Sequence, residues 1–447
     1  MPTNLWPAPV ATAPLDAKVE IPGSKSLTNR LLVLAALADG PSTIQGALRS
    51  RDADLMIEGL RTLGIEIEEG DSPSTLKITP RPLEEGSLTI DVGLAGTVMR
   101  FLPAVAALSN AKVAFRGDVA ASSRPMEPIL EGLRDIGVSI SGKKVPFTVH
   151  GTGAVKGGST AIDAELSSQF ISGLLLAAPR FENGLRLTAV GKVPSAPHLE
   201  MTVETLRESG VHVETNALGS HGVINQWVVP PAKIRAHDVR VEPDLSNAAP
   251  FLAAALVTGG SVTIPGWPTM TTQPGALLPD FLVRMGGHVD YLDGALRVTG
   301  KGRLYGLNAD LSAAGELTPT IAALAALAET PSKLTGIAHL RGHETDRLKA
   351  LVTEINRLGG KARELPDGLE IEPAPLHGGV WESYADHRMA TAGAIIGLRI
   401  PDVKVSDIAT TAKTLPGFEG MWADMLNPSV EEPLGVSKPR ISADGVA

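Results

Sequence analysis

Charged and hydroxyl-bearing residues in this chain gather just ahead of its most apolar segments. "GSKSLTNR" (residues 23–30) runs straight into "LLVLAALADG", and "GLAGTV", "AELSSQ", "EPDLSN", "SAAGEL" and "SYADHR" each precede a run of similar character. A helix N-terminus carries unpaired N–H groups and about half a positive charge, so it draws anions. A second set of helix starts, "SSRPMEP", "PSAPHLE", "RGHETDR" and "TAKTLPG", adds Arg124, Ser195, His343, Glu344, Arg347 and Lys413. If these ends share one cleft, it holds seven cations: Lys25, Arg30, Arg100, Arg124, Arg347, Arg388 and Lys413. It also holds two carboxylates, Glu316 and Glu344. Such a set suits a multiply anionic small molecule and acid–base chemistry.

Taken singly, each motif has a plainer meaning. "GSKS" lacks the G-x-x-x-x-G-K-S/T spacing of a phosphate loop, since Ser24 separates Gly23 from Lys25. By itself it is a helix cap with a solvated lysine, and "SSQ" is another cap. "HETDR" alone is a charged first turn with an i, i+3 Glu–Arg pair. His387 in "YADHR" alone is a structural histidine. Their shared position in a repeat is what joins them.

That repeat is written five times as an amphipathic helix, a glycine and an alternating strand: "LMIEGLRTLGIEIEE", "PILEGLRDIGVSISG", "MTVETLRESGVHVET", "PDFLVRMGGHVDYLD" and "LVTEINRLGGKAREL". The marker glycines are expected to be Gly64, Gly137, Gly210, Gly287 and Gly360, each closing a helix in the left-handed conformation. Six apolar helices accompany them, at 31–38, 99–108, 170–179, 248–256, 318–327 and 389–398. Helices apolar on all sides belong inside a structure. Six units of two helices and three or four strands exceed one core, so two α/β domains of three units are expected. Residues 23–241 form one. Residues 1–22 plus 242–427 form the other, completed by the N-terminal strand, and 428–447 form a flexible tail.

Composition bounds the rest. The 447 residues carry a net charge of −9, which argues against a nucleic-acid footprint spread over the surface. The absence of cysteine removes disulfides, thiolate metal sites and a cysteine nucleophile. No apolar run is long enough to span a bilayer and the N-terminus does not read as a secretory signal, so a cytoplasmic protein is expected.

"PGSKSLTNR", "AGTVMR", "SSRPM", "LSSQF", "HETDR", "YADHRM" and "TAKTLPGF" occur in an order and spacing that resemble the 5-enolpyruvylshikimate-3-phosphate synthase family of enolpyruvyl transferases. The likeness extends over residues 10–427. It implies two domains of three βαβαββ repeats each around a central cleft. It also implies transfer of the enolpyruvyl group of phosphoenolpyruvate to the 5-hydroxyl of shikimate 3-phosphate, by a monomer with no metal or organic cofactor and no partner beyond its small-molecule substrates. Carbon protonation makes the adjoining carbon cationic so that an alcohol adds, and loss of phosphate from the tetrahedral intermediate restores the vinyl ether.

Roles follow by motif position. Lys25, Ser26 and Arg30 resemble contacts to the shikimate ring, with Lys25 also reaching phosphoenolpyruvate. Ser167, Ser168, Gln169 and Ser195 resemble the binders of the shikimate phosphate. Gly96, Arg124, Arg347, Arg388 and Lys413, with Gln169, resemble the phosphoenolpyruvate clamp. Glu344 resembles the acid that protonates carbon, and Glu316 or Lys25 the group that deprotonates the hydroxyl. Many family members have Asp where this chain has Glu316, Asn where it has Leu94, Pro where it has Phe101 and Lys where it has His343. Beside a substrate dianion, the pKa of His343 is expected to rise. Cations drawn from both halves are expected to hold the cleft open by repulsion. A UDP-N-acetylglucosamine enolpyruvyl transferase is the closest rival, but such enzymes usually carry a loop cysteine. A non-catalytic binder of a phosphorylated metabolite would gain nothing from the two carboxylates.

Overall fold

Helices and glycines set the repeat in space. The computed structural model describes residues 4–191, 193–218 and 223–427, and the expected tail at 428–447 lies outside them. In chain order the described α-helices are α1 (Lys25–Ala36), α2 (Arg51–Thr62), α3 (Gly96–Ala106), α4 (Glu127–Asp135), α5 (Gln169–Ala177) and α6 (Ala196–Glu208). They continue with α7 (Leu245–Thr258), α8 (Leu278–Arg284), α9 (Thr318–Ala326), α10 (Arg347–Arg357), α11 (His387–Gly397) and α12 (Phe418–Leu426). The odd-numbered helices are the apolar ones: every residue of α3 and of α9 is buried. The even-numbered helices are mostly amphipathic; α4 buries Ile129, Leu130, Gly132 and Leu133 and turns its charges outward.

Three of the five marker glycines stand where the pattern put them, with Gly64, Gly137 and Gly210 at positive φ. In the fourth and fifth units the left-handed residue is Gly286 (φ 105°) and Gly359 (φ 88°), not Gly287 and Gly360. The correction follows from hydrogen bonding. The Gly287 amide donates to Leu282 O and the Gly360 amide to Ile355 O, as the Ile65 amide does to Leu60 O. The second glycine of each pair is therefore the residue beyond the cap. The first must take positive φ, which costs a glycine least.

The apolar helices start earlier than their apolar runs. Ser24 caps α1 through its side chain, so Lys25, Ser26 and Arg30 lie in the first turns of α1 rather than in a preceding loop. Asp244 caps α7 and Asp386 caps α11 in the same way. A helix begins at its cap, whatever the polarity of its first turn.

Six small sheets lie outside the apolar helices, five of four strands and one of three among the described residues. Each four-stranded sheet combines one parallel pair with antiparallel neighbours. Glu85–Asp91, for example, runs parallel to Asn110–Arg116, which pairs antiparallel with Phe147–His150. Two separate cores result. One draws on residues between Leu31 and Val241, the other on Ala8 to Val19 together with Leu245 to Met425. The N-terminal strand Asp16–Lys18 pairs with Ser261–Pro265 in the second, while Val239–Arg240 pairs with Ser42–Gln45 in the first. Where the chain crosses, the Ser24 amide donates to Glu242 O at 2.8 Å and the Asp244 amide to Pro22 O at 2.9 Å.

Candidate active site

The N-termini of the apolar helices meet in one cavity between the two cores. Of the residues singled out from sequence, Lys25, Ser26, Gly96, Arg124, Ser167, Ser168, Gln169, Ser195, Glu316, His343, Glu344, Arg347 and Arg388 line it. Lys413 stands just behind, bonded to Glu344.

On the first wall, α1 presents Lys25, whose Nζ lies 3.3 Å from Asp52 Oδ2. Burial lowers the pKa of this lysine, with Lys413 and Arg388 adding to the effect and Asp52 and Glu344 opposing it. The helix start of α3 brings its backbone close to its neighbours. A Cβ on Gly96 would stand 3.0 Å from Arg100 Nη1 and Gln169 Oε1 and 3.1 Å from Arg124 Nη2. Arg100 donates to Gln169 Oε1 at 2.7 Å. Because a guanidinium only donates, this bond turns the amide NH₂ of Gln169 away from Arg100. Arg124 donates to Leu94 O at 2.9 Å. Ser195 caps the entry to α6 at φ 54°, and its amide donates across the cleft to Ser312 O at 3.3 Å.

Arg30 does not join this wall. Its guanidinium turns back into the first core and is 1% exposed. It donates to Thr202 Oγ1, Ser26 O, Ser172 Oγ and His198 O, and sits over the Phe101 ring at 5.4 Å. Phe101 and the α6 hydroxyl give the long side chain an alternative to solvent. Burial lowers its pKa to about 9.

The second wall is built from carboxylate bridges. Lys413 Nζ donates to Glu344 Oε1 at 2.6 Å and Arg347 Nη2 to Glu344 Oε2 at 3.0 Å. Arg347 also grips buried Asp386, with Nε to Oδ2 at 2.8 Å and Nη2 to Oδ1 at 3.1 Å. Burial pushes the Glu344 carboxyl up, but Lys413, Arg347 and Arg124 outweigh it and hold the group well below the usual carboxylate range. Glu344 is thus an anion among the protein's own charges, where the sequence suggested an acid. Glu316 behaves oppositely: burial raises its pKa against the pull of Arg388. His343 starts from the opposite direction to the rise expected beside a bound dianion. Burial and Arg347 hold its imidazole well below the normal value, so within the protein it is neutral.

Several charged or titratable residues at the site were given no role there by the sequence reading. Asp52, Asp244, His198 and His387 line the cavity, and Asp386 lies behind it. Asp244 Oδ2 accepts the Lys25 amide at 3.1 Å while Oδ1 caps α7, so one carboxylate serves helix starts from both cores. His198 Nε2 lies 3.9 Å from Glu316 Oε1 on the opposite half. Asp244 and Asp386 had a signal as helix caps and His387 as part of "YADHR"; Asp52 and His198 had none. Asp52, Glu344 and Asp386 offset part of the positive charge expected to hold the cleft open, and the halves touch where the Ser195 amide meets Ser312 O.

Comparison with known proteins accords with this geometry. The EPSP synthase (3-phosphoshikimate 1-carboxyvinyltransferase) family matches residues 10–422. Among solved structures, an EPSP synthase from Acinetobacter baumannii is similar with a TM-score of 0.75 and 25% identity, covering 93% of this chain and 97% of that one. The enolpyruvyl transferase NikO from Streptomyces tendae shares the fold, with a TM-score of 0.70 and 18% identity over 93% of this chain and 96% of that one. The chain belongs to the EPSP synthase family, the 3-phosphoshikimate 1-carboxyvinyltransferases, and is an enolpyruvyl transferase of the shikimate pathway.

Proposed function

We propose that the two halves of the chain, 23–241 and 1–22 plus 242–427, divide the work of moving the enolpyruvyl group from phosphoenolpyruvate to the 5-hydroxyl of shikimate 3-phosphate. Ser26, Ser167, Ser168, Gln169 and Ser195, with Lys25, Glu316 and His343, hold shikimate 3-phosphate. Gly96, Arg124, Gln169, Arg347, Arg388 and Lys413, with Lys25, hold phosphoenolpyruvate. Arg30 supports the wall from behind through the Ser26 carbonyl and adds positive potential without touching substrate.

One observation carries the reading: Glu344 is bridged by Lys413 at 2.6 Å and Arg347 at 3.0 Å, in the same cavity as a second carboxyl, Glu316. Glu344 carries no proton of its own near neutrality, so the ammonium of Lys413 supplies it across their hydrogen bond. Glu344 passes that proton to the methylene carbon, whose π pair takes it up. The substrate hydroxyl oxygen bonds to the adjoining carbon while its proton goes to Glu316, whose raised pKa suits a base working near neutral pH. In the second step a methyl proton returns to Glu344 and through it to Lys413, the proton held by Glu316 passes to the departing oxygen as the C–O bond breaks, and hydrogen phosphate leaves, its charge met by Arg124, Arg347 and Arg388. The protein is read as a cytoplasmic monomer. In support, the cleft is built from one chain, the net charge is −9, and no helix among the described residues is long and apolar enough to cross a membrane.

Phosphate release measured with phosphoenolpyruvate and either shikimate 3-phosphate or UDP-N-acetylglucosamine tests the acceptor. Release is expected with the first alone; release with the second alone would overturn the reading. A gel-filtration mass of twice the chain would overturn the monomer.

A further inference from the structure

The segment ahead of α11 has a feature that the transfer chemistry does not use. Tyr384 (φ 55°) and Ala385 (φ 53°) are consecutive non-glycine residues in the left-handed region, a conformation L-residues avoid because Cβ crowds the carbonyl. Such strain persists only where surrounding structure holds it.

Here the surroundings are identifiable. Tyr384 Oη donates to Glu354 Oε1 at 2.6 Å, and Glu354 is fully buried on α10. Its other oxygen accepts the Glu382 amide at 3.0 Å and Arg357 Nη1 at 2.8 Å. Burial and this bond raise the Tyr384 phenol to about 12, so it stays a donor throughout the working range. On the far side of the turn the Asp386 amide donates to Ser383 O at 2.9 Å, and the Ser383 amide to Ser406 Oγ at 3.0 Å. Asp386 then does two things at once. It caps α11 by accepting the Arg388 amide at 2.9 Å, and it grips Arg347 with both oxygens. Helix α10 is thereby tied to the same short turn at two points, through Arg347 to Asp386 and through Glu354 to Tyr384.

We propose that Tyr384 and Glu354 are positioning residues whose hydrogen bond holds this left-handed turn and so fixes the spacing of Arg347 and Arg388, given the phosphoenolpyruvate-binding roles assigned to them above. Tyr384 does not line the cavity, so it acts through the two arginines rather than on substrate. Those arginines bind charge present in both the ground state and the transition state. Misplacing them weakens uniform binding, which raises KM more than it lowers kcat.

The test compares Tyr384→Phe with Tyr384→Gly in steady-state kinetics for both substrates. Phenylalanine loses the bond but still carries the left-handed penalty, so the turn is free to relax; glycine loses the bond and has no such penalty to relieve. Tyr384→Phe is expected to raise KM for phosphoenolpyruvate about tenfold with kcat within about threefold, and to leave KM for shikimate 3-phosphate within about twofold. Tyr384→Gly is expected to raise KM for phosphoenolpyruvate by less than about threefold. The side chain is 39% exposed and the phenylalanine variant removes a single oxygen, so the fold should persist, as a thermal melt would verify. An unchanged KM in Tyr384→Phe, an equal rise in both variants, or an equal rise for both substrates overturns the clamp. Arg347→Lys, measured alongside, separates the levels. If it leaves KM for phosphoenolpyruvate unchanged, the arginine's binding role fails and the clamp with it; if it raises KM while Tyr384→Phe does not, only the clamp fails.

Discussion

The two walls of the cleft solve the same problem differently. Both place cations at the starts of apolar helices. In the first half Arg30, Arg100 and Arg124 have no carboxylate at ion-pair distance among the described residues, and they rest on carbonyls, hydroxyls and an amide oxygen. In the second half Arg347 and Lys413 are bridged by Glu344, and Arg347 is held again by Asp386. Lys25, paired with Asp52, and Arg388, bonded to Ser246 O, depart from this division. A buried cation on neutral acceptors keeps an unmet need for negative charge, which an arriving anion satisfies. A cation already paired is fixed in place, and its carboxylate partner is available for proton transfer. The first wall is thus suited to attract and the second to react.

Removing a buried cation from each half should expose this contrast most strongly. Arg347→Met leaves Asp386 buried and unpaired and should lower unfolding free energy by about 3–5 kcal/mol. Arg30→Met strands only neutral groups and should change stability by about 1–2 kcal/mol. Urea unfolding of the two variants checks the difference; equal losses would erase the distinction between the halves.

Next in size is the carboxylate bridge itself. Glu344→Gln keeps its shape and cannot relay a proton, so turnover should fall about 10²-fold or more while the dissociation constant of shikimate 3-phosphate changes little. Near-normal turnover would remove Glu344 from the proton path.

Acid sensitivity should be common to both walls. Burial lowers the pKa of His198 to about 3 on the first wall, and burial holds His343 and His387 well below normal on the second. Each is depressed on folding, so below about pH 6.5 the unfolded chain binds a proton that the folded one refuses. Stability is therefore full above about pH 6.5 and declines as pH falls toward the folded pKa, by up to about 1.4 kcal/mol per pH unit for each group. Between pH 7 and pH 5, His387→Asn should shrink the loss of stability by about 1–2 kcal/mol relative to the parent chain. No change in that loss would mean His387 is not buried as a neutral ring.

The smallest effect concerns His343. A neutral imidazole donates a hydrogen bond but adds no charge, so affinity for shikimate 3-phosphate should differ by less than about twofold between pH 7 and pH 9, below the change that gain or loss of charge assistance brings. Calorimetry on the parent chain and on His343→Lys should give the same ratio across that range. A steeper fall in the parent would show that the bound dianion overrides burial and restores the imidazolium.

Local pattern was enough to determine the repeat. Helix amphipathicity, a glycine at five of the six outer helix ends and the polar caps of the inner helices all act within a few residues, so a one-dimensional reading recovers six units and the N-termini that face the cleft. The one-residue slip at Gly286 and Gly359 shows where that logic stops, since two adjacent glycines are equally permissive and only the closing hydrogen bonds choose between them. Tertiary structure alone decided the electrostatics. Asp52 reaches Lys25 from 27 residues away, Asp386 reaches Arg347 from 39, Lys413 reaches Glu344 from 69 and Asp244 reaches the Lys25 amide from 219. Arg30 turned inward for the same reason: the direction of a long side chain depends on which acceptors the distant helices α5 and α6 bring beside it. Residue types and caps are properties of the chain, whereas protonation states follow from desolvation and from neighbours that only folding assembles.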